Sequence, residues 1–152
     1  MDLILWRHAE AEDATPDLSR RLTDKGKRQA SFMADWLTPR LPKDLRILVS
    51  PAVRTRQTAD ALNMKYTVVE DIAPDRGVAK LLAAASWETG EGAVLVVGHQ
   101  PTLGLAASLL LYGQERSFSI KKGAIFWISR RDPEAGGECV LRAVLSPDML
   151  KV

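Results

Sequence analysis

The chain has 152 residues, of which 46% are hydrophobic and 26% charged, a composition typical of one globular domain with a single core. The 21 basic and 19 acidic residues leave a formal net charge of only +2, which gives no indication of a nucleic-acid-binding protein but is compatible with a small anionic substrate. Because the sequence has no long apolar run, no signal segment and only one cysteine, Cys139, we expect a single cytoplasmic domain over residues 1–152.

The first predicted element is a buried strand that ends in two residues suited to binding an anion. Its apolar residues run from Leu3 to Trp6, and Arg7 and His8 follow directly. Ligands of open α/β sheets bind beyond the carboxyl ends of the strands, so the guanidinium and the imidazole are placed for an anion site. Taken alone, such a pair at a strand exit is more often solvated or structural.

The next segments predict a helix, a strand and a second helix. Thr23 is a candidate N-cap, and an apolar stripe of helical period predicts a helix from there to about Leu37. A buried strand over 45–50 leads into a helix over about 52–62, and Arg54 lies in the first turn of that helix. Free backbone N–H groups and the positive dipole end make such a turn favourable for phosphate.

A second histidine follows a second buried strand. The β-branched run at 93–97 is followed by Gly98 and His99, so both histidines of the chain stand at predicted strand exits. The remaining predicted elements are a short strand over 66–70, helices over 78–87 and 102–112, and two late strands over 123–129 and 139–145. Alternating strands and helices predict a three-layer α/β/α sandwich with a mostly parallel sheet and a late antiparallel strand.

These motifs, in this order, resemble the histidine phosphatase superfamily, which has the phosphoglycerate-mutase-like fold, and more narrowly its SixA-like phosphohistidine phosphatases. Arg-His-Ala at 7–9 stands in the place of an Arg-His-Gly signature, with Ala9 replacing the glycine. Residues 50–59 match a Ser-Pro-x-x-Arg-x-x-Gln-Thr segment, and 98–101 match the second histidine motif. The resemblance extends from Leu3 to about Lys151.

The resemblance implies a phosphatase in which His8 attacks phosphorus and forms a phosphohistidine intermediate that water hydrolyses. Arg7, Arg54 and a protonated or hydrogen-bond-donating His99 would neutralise the phosphoryl oxygens, with no metal or cofactor required. Further substrate contacts are expected from Arg20 and from the backbone N–H of Gln100.

Two features bear on the substrate. The acidic residues that could donate a proton to a leaving group, Glu70, Asp71 and Asp75, stand in no recognisable motif, and the short chain predicts a shallow pocket. Since an imidazole can leave with its own proton whereas an alkoxide needs a donor, we expect a phosphohistidine on a protein, such as a histidine phosphotransfer domain. Oligomeric state does not follow from the sequence.

Three alternatives stay open at this point. The chain could act on a small phosphoester such as a sugar phosphate or a nucleotide, or it could be a phosphate-binding module without catalysis. It could also bind a metal through His8, His99 and Glu10, although the neighbouring arginines would repel a cation.

Overall fold

The computed structural model describes residues 1–131 and 137–150 and contains a six-stranded sheet between two layers of helices. The strands are β1 (Asp2–Arg7), β2 (Leu45–Val49), β3 (Thr67–Val68), β4 (Ala93–Gly98), β5 (Ile125–Arg130) and β6 (Cys139–Leu145). The helices are α1 (Asp24–Leu37), α2 (Val53–Asp60), α3 (Val78–Ala84) and α4 (Thr102–Tyr112). Within the described ranges, no helix is both long and apolar enough to cross a bilayer.

The sheet order is β3-β2-β4-β1-β5-β6. β1, β2, β3 and β4 are mutually parallel, whereas β5 runs antiparallel to β1 and pairs with β6 in an antiparallel hairpin. The predicted α/β class and the mostly parallel sheet with late antiparallel pairing are therefore confirmed. Because the four parallel strands end at the same edge, the residues that follow β1, β2 and β4 meet there.

Both faces of the sheet are buried, which explains why the strand sequences are almost continuously apolar. On β1, Leu3 and Leu5 join the core beneath α3 and α4, while Ile4 and Trp6 join the core beneath α1 and α2. All four side chains have no solvent exposure. This alternation across β1 separates the two hydrophobic layers and fixes the strand rigidly in the middle of the molecule.

Helix α1 begins as the sequence predicts, since Thr23 Oγ1 accepts a hydrogen bond from the Gly26 N–H at 3.0 Å. Gly26 packs directly on the chain that leaves β1, and a Cβ at this position would overlap the Glu10 carbonyl oxygen. Close approach of the two backbones therefore requires glycine here, and it places the first turns of α1 beside the exit of β1.

Some predicted boundaries differ from the structure. Helix α3 ends at Ala84 rather than near 87, and Ser86 just beyond it has a positive φ of 55° that ends the helical path. Strand β3 keeps only two residues of the predicted 66–70, both exposed at the edge of the sheet. Part of the polar connection between the last two strands, 132–136, lies outside the described residues.

Candidate active site

The two histidines lie side by side at the carboxyl edge of the sheet. His8 follows β1 and His99 follows β4, and their ring centroids are 5.4 Å apart with an angle of 54° between the planes. Arg54, in the first turn of α2, places its Nη2 3.3 Å from His99 Nδ1. The structure thus brings these three side chains into one site, and all three are buried.

Backbone contacts hold His8 in one orientation. Its Nδ1 lies 2.7 Å from the carbonyl oxygen of Ala9, so Nδ1 carries the proton and donates it to that oxygen. The backbone N–H of Ala9 in turn donates to Thr58 Oγ1 on α2 at 3.0 Å. With Nδ1 protonated, the unshared electron pair of the neutral ring is on Nε2, which is the form required of an attacking imidazole.

His99 has partners on both ring nitrogens. Nδ1 faces Arg54 Nη2, which can only donate, and Nε2 lies 2.7 Å from Ser50 Oγ. In this arrangement Nδ1 accepts and Nε2 donates to the hydroxyl. Ser50 directly follows β2 and is fully buried, so the ends of β2 and β4 are joined through this hydrogen bond.

Both imidazoles are neutral at physiological pH. The pKa of His8 is lowered to about 4. Burial is the largest cause, the hydrogen bond to Ala9 opposes it, and the charges of Arg54, Arg7 and Arg20 add to the lowering. Burial and the charge of Arg54 lower the pKa of His99 to about 3. His99 would therefore assist a phosphoryl group by hydrogen bonding and not by a full positive charge.

Arg7 lies beside His8 at the end of β1. Its Nη1 donates to the carbonyl oxygen of Ile120 at 2.7 Å, which ties the guanidinium to the segment before β5. Arg7 and Arg54 each keep a buried Nε–H with no hydrogen-bond partner among residues 1–131 and 137–150. Each guanidinium consequently has a donor that the described residues do not satisfy.

Asp17 is a site residue that the sequence did not indicate. Arg54 Nη1 donates to its backbone carbonyl at 2.9 Å, and Nη2 donates to its Oδ2 at 3.1 Å. Burial tends to raise the pKa of Asp17, but hydrogen bonds and charge from Arg54 and then Arg20 hold it below its usual value. Asp17 is therefore a carboxylate at neutral pH, and it orients Arg54.

Arg20 and Gln100 have defined positions next to the site. Arg20 Nε donates to the Glu12 carbonyl at 2.7 Å and its Nη1 lies 3.3 Å from Asp17 Oδ1, so the loop after β1 holds it where its charge reaches His8. The Gln100 side chain donates to the Phe118 carbonyl at 2.8 Å and accepts from the Gly104 N–H at 2.7 Å. Those contacts are structural, and the role of the Gln100 backbone N–H stays a prediction.

Asp71 and Asp75 are two of the carboxylates considered as proton donors. Asp71 and Asp75 are exposed, and in the described part of the chain neither has a hydrogen bond or an ion pair to a site residue. Residues 1–131 and 137–150 contain no group of three or more His, Cys, Asp or Glu side chains arranged to hold a metal ion.

Comparisons with known proteins identify a family and related sequences. Residues 3–74 match the family model described as histidine phosphatase superfamily (branch 1). Phosphohistidine phosphatase SixA of Escherichia coli is 32% identical over 123 residues, which cover 75% of this chain and 76% of that protein. A SixA homolog from Haemophilus influenzae is 31% identical over 141 residues, covering 82% of this chain and 85% of that protein.

Solved structures extend the likeness to the whole fold. The structure of the protein histidine phosphatase SixA complexed with tungstate has a TM-score of 0.82 at 28% identity, covering 99% of this chain and 100% of that one. A phosphoserine phosphatase mutant from Entamoeba histolytica in complex with phosphoserine has a TM-score of 0.72 at 18% identity, covering 99% of both chains. The second likeness concerns the fold alone.

Proposed function

Because this chain belongs to the histidine phosphatase superfamily, we propose that it is a phosphohistidine phosphatase in which the Nε2 atom of His8 is the nucleophile. The observation that carries the proposal is the 2.7 Å hydrogen bond from His8 Nδ1 to the Ala9 carbonyl, in a ring whose pKa is about 4. The hydrogen bond and the low pKa together leave a neutral imidazole with its electron pair on Nε2. The centroid of this ring is 5.4 Å from that of His99, which is itself hydrogen-bonded to the buried guanidinium of Arg54.

The first step transfers the phosphoryl group. Nε2 of His8 forms a bond to phosphorus while the bond from phosphorus to the leaving nitrogen breaks, and the electron pair of that bond goes to the leaving imidazole. In the second step water attacks the phosphoryl group on His8, the new P–N bond breaks, and orthophosphate leaves with the imidazole restored.

Arg7, Arg54 and His99 stabilise the charge that spreads over the equatorial oxygens in both steps. The two guanidiniums provide permanent charge, and each has an Nε–H that no described residue accepts. A hydroxyl can act as hydrogen-bond donor or acceptor. If the Ser50 hydroxyl donates a hydrogen bond to Nε2, the ring proton of His99 is on Nδ1 and can be donated to the phosphoryl group. Ser50 is thus a positioning residue that can pair with either tautomer of His99.

The substrate class follows from the proton balance. An alkoxide leaving group needs a proton in the transition state, and a well-placed acid contributes about 10²–10⁴-fold. Asp17 is held ionised by two arginines, and in the described structure Asp71 and Asp75 have no hydrogen bond or ion pair to a site residue. The other ring nitrogen of a phosphohistidine can take up a proton from water before the P–N bond breaks, so that neutral imidazole leaves without an acid from the protein. We therefore favour a phosphohistidine on a protein, such as a histidine phosphotransfer domain, over a sugar phosphate or nucleotide.

Rapid-quench labelling tests the proposal. A histidine phosphotransfer domain carrying ³²P on its histidine should transfer acid-labile phosphate to the wild-type protein within one turnover, and His8→Ala should abolish both labelling and turnover. Unfolding temperature and orthophosphate binding of the variant serve as the fold control. Turnover retained in His8→Ala would show that His8 is not the nucleophile.

Substrate choice and metal dependence need separate measurements. We expect kcat/KM to be higher for the phosphohistidine protein than for p-nitrophenyl phosphate or a sugar phosphate, with excess EDTA having no effect. Asp71→Asn and Asp75→Asn should stay within about twofold of wild type. Preference for the sugar ester, or a large loss in either Asn variant, would favour a phosphoester phosphatase with a carboxylic acid donor, and inhibition by EDTA would overturn metal independence.

We also propose that residues 1–152 act as one cytoplasmic domain. All six strands belong to one sheet, and Cys139 is a free, half-buried thiol in β6, which is compatible with a reducing compartment. Cell fractionation with antibody detection would test the location, and recovery in an extracytoplasmic fraction would contradict it.

A further inference from the structure

A cavity of about 670 Å³ opens beside Arg7, between the first turns of α1 and the segment that precedes β5. Four exposed cations line it: Lys25 and Arg28 on α1, and Lys121 and Lys122 on the opposite wall. We call this cavity, with its four cations, the basic trough. Arg7 belongs to the same lining, so the trough lies next to the candidate active site.

The wall that carries Lys121 and Lys122 is fixed to the end of β1. On one side of the two lysines, the Ile120 carbonyl accepts from Arg7 Nη1 at 2.7 Å. On the other side, the Gly123 N–H donates to the His8 carbonyl at 3.0 Å. Both lysines therefore stand between two hydrogen bonds to the residues that bind and attack phosphorus, and their backbone cannot move far from the nucleophile.

The wall on α1 is held as firmly. The Gln29 Oε1 atom accepts from the Glu10 N–H at 2.9 Å, and Thr23 Oγ1 donates to Glu10 Oε2 at 2.7 Å. The Glu10 carboxylate is thus engaged with the helix start. Lys25 and Arg28 lie three residues apart, on one helical face that continues to the half-buried Phe32.

The charges of the trough are poorly balanced within the protein. Its five cations face two carboxylates, although the whole chain has a formal charge of only +2. Lys121 Nζ is 3.5 Å from Asp148 Oδ2, but among residues 1–131 and 137–150 no carboxylate lies within salt-bridge distance of Lys25, Arg28 or Lys122. Within the described structure, these three cations are available to an external anionic partner.

We propose that the basic trough is the docking surface for the protein substrate and that it binds carboxylates flanking the phosphohistidine. This inference depends on the proposed function. Exposed cations around an open cavity suit the broad surface of a protein better than an enclosed metabolite, and the Lys121 side chain is 71% exposed despite its ion pair. Phe32 adds an apolar contact to the lining. The cations require a partner with an acidic surface around the phosphohistidine.

Charge reversal separates docking from chemistry. The variants Lys121→Glu/Lys122→Glu and Lys25→Glu/Arg28→Glu should lower kcat/KM for a phosphorylated histidine phosphotransfer domain by about tenfold or more, mainly through KM, and should flatten its salt dependence. Activity on p-nitrophenyl phosphate should stay within about twofold, because none of the four side chains is in the catalytic cluster.

The matched control is Lys43→Glu/Lys65→Glu. Both lysines are exposed and precede the amino ends of β2 and β3, so they stand at the opposite edge of the sheet. This control should retain wild-type kcat/KM on the protein. A second control changes the charge of the substrate protein. When acidic residues around its phosphohistidine are replaced by the corresponding amides, it should bind more weakly to the wild-type phosphatase.

Several results would overturn the inference while leaving the proposed function intact. Unchanged kcat/KM of the trough variants on the phosphoprotein would exclude docking there. Equal losses on the phosphoprotein and p-nitrophenyl phosphate would show that the trough acts through the field at phosphorus, and equal losses on a small ester with a second anionic group would indicate metabolite binding. Absence of phosphohistidine turnover in the wild-type protein would instead refute the proposed function itself.

Discussion

Ser50→Ala is the most informative change in the catalytic cluster. The Ser50 hydroxyl is fully buried and lies 2.7 Å from His99 Nε2. Its removal leaves a buried ring N–H without a partner, which costs about 1–3 kcal/mol in stability. It also removes the group that can hold His99 with a proton on Nδ1, so we expect kcat/KM to fall about 10- to 100-fold, equivalent to about 1.4–2.8 kcal/mol in the transition state.

The assay combines kinetics with nitrogen NMR of the ring. Long-range proton–nitrogen spectra resolve the tautomer easily because the chain has only two histidines. In the absence of phosphate, His99 of the wild type should carry its proton on Nε2, and in the presence of orthophosphate on Nδ1. The Ser50→Ala variant should fail to make this change.

Thr55→Val provides the matched control. Thr55 is as buried as Ser50, and its hydroxyl donates to the Ser50 and Ala52 carbonyls at 2.8 Å without touching His99. This variant should lose stability but keep kcat/KM within about twofold. Wild-type kcat/KM in Ser50→Ala, or the same kinetic loss in Thr55→Val, would refute the tautomer role.

Three further predictions concern protonation and packing. In a proton NMR titration, His8 should titrate near pH 4 and His99 near pH 3, and a midpoint near 6.5 for either ring would contradict their burial. The pKa of His8 is lowered from 6.5, so the unfolded chain binds protons first. Between pH 6.5 and 4 this group should account for about 3 kcal/mol of the fall in the free energy of unfolding, in addition to the fall that His99 causes, and the fall in His8→Gln should be smaller by about that amount, as measured by urea unfolding. An equal pH dependence in that variant would count against the assignment. Gly26→Ala should destabilise the protein by more than about 2 kcal/mol in calorimetry, because its methyl group meets the Glu10 carbonyl, and an unchanged unfolding temperature would show that the two backbones can separate.

The sequence predicted well those features that depend on local pattern. Strand exits could be read from the apolar runs, so His8 and His99 were placed correctly at the ends of β1 and β4. Helix α1 was predicted from its N-cap and apolar stripe, and α4 from its apolar composition. The predicted bounds of both helices agree with the structure. The position of Arg54 followed from the helix start after β2.

Other features depend on contacts between distant segments, which local patterns do not encode. Asp17 reaches Arg54 across 37 positions because the loop after β1 folds over α2, and nothing in the acidic segment 11–19 distinguished that carboxylate from its neighbours. Ser50 was part of a recognised motif, but its hydrogen bond to His99 depends on β2 and β4 being adjacent strands. The early end of α3 depends on one positive φ that helix propensity does not reveal.

The alanine that replaces the signature glycine has a wider consequence. Ala9 is completely buried, its N–H is bonded to Thr58, and it is not among the residues with positive φ, so the position does not require glycine. A β-carbon fits here without backbone strain. Motif searches that insist on glycine after the first histidine would overlook chains of this kind, and the pair formed by an imidazole N–H and the next carbonyl is a better criterion for finding them.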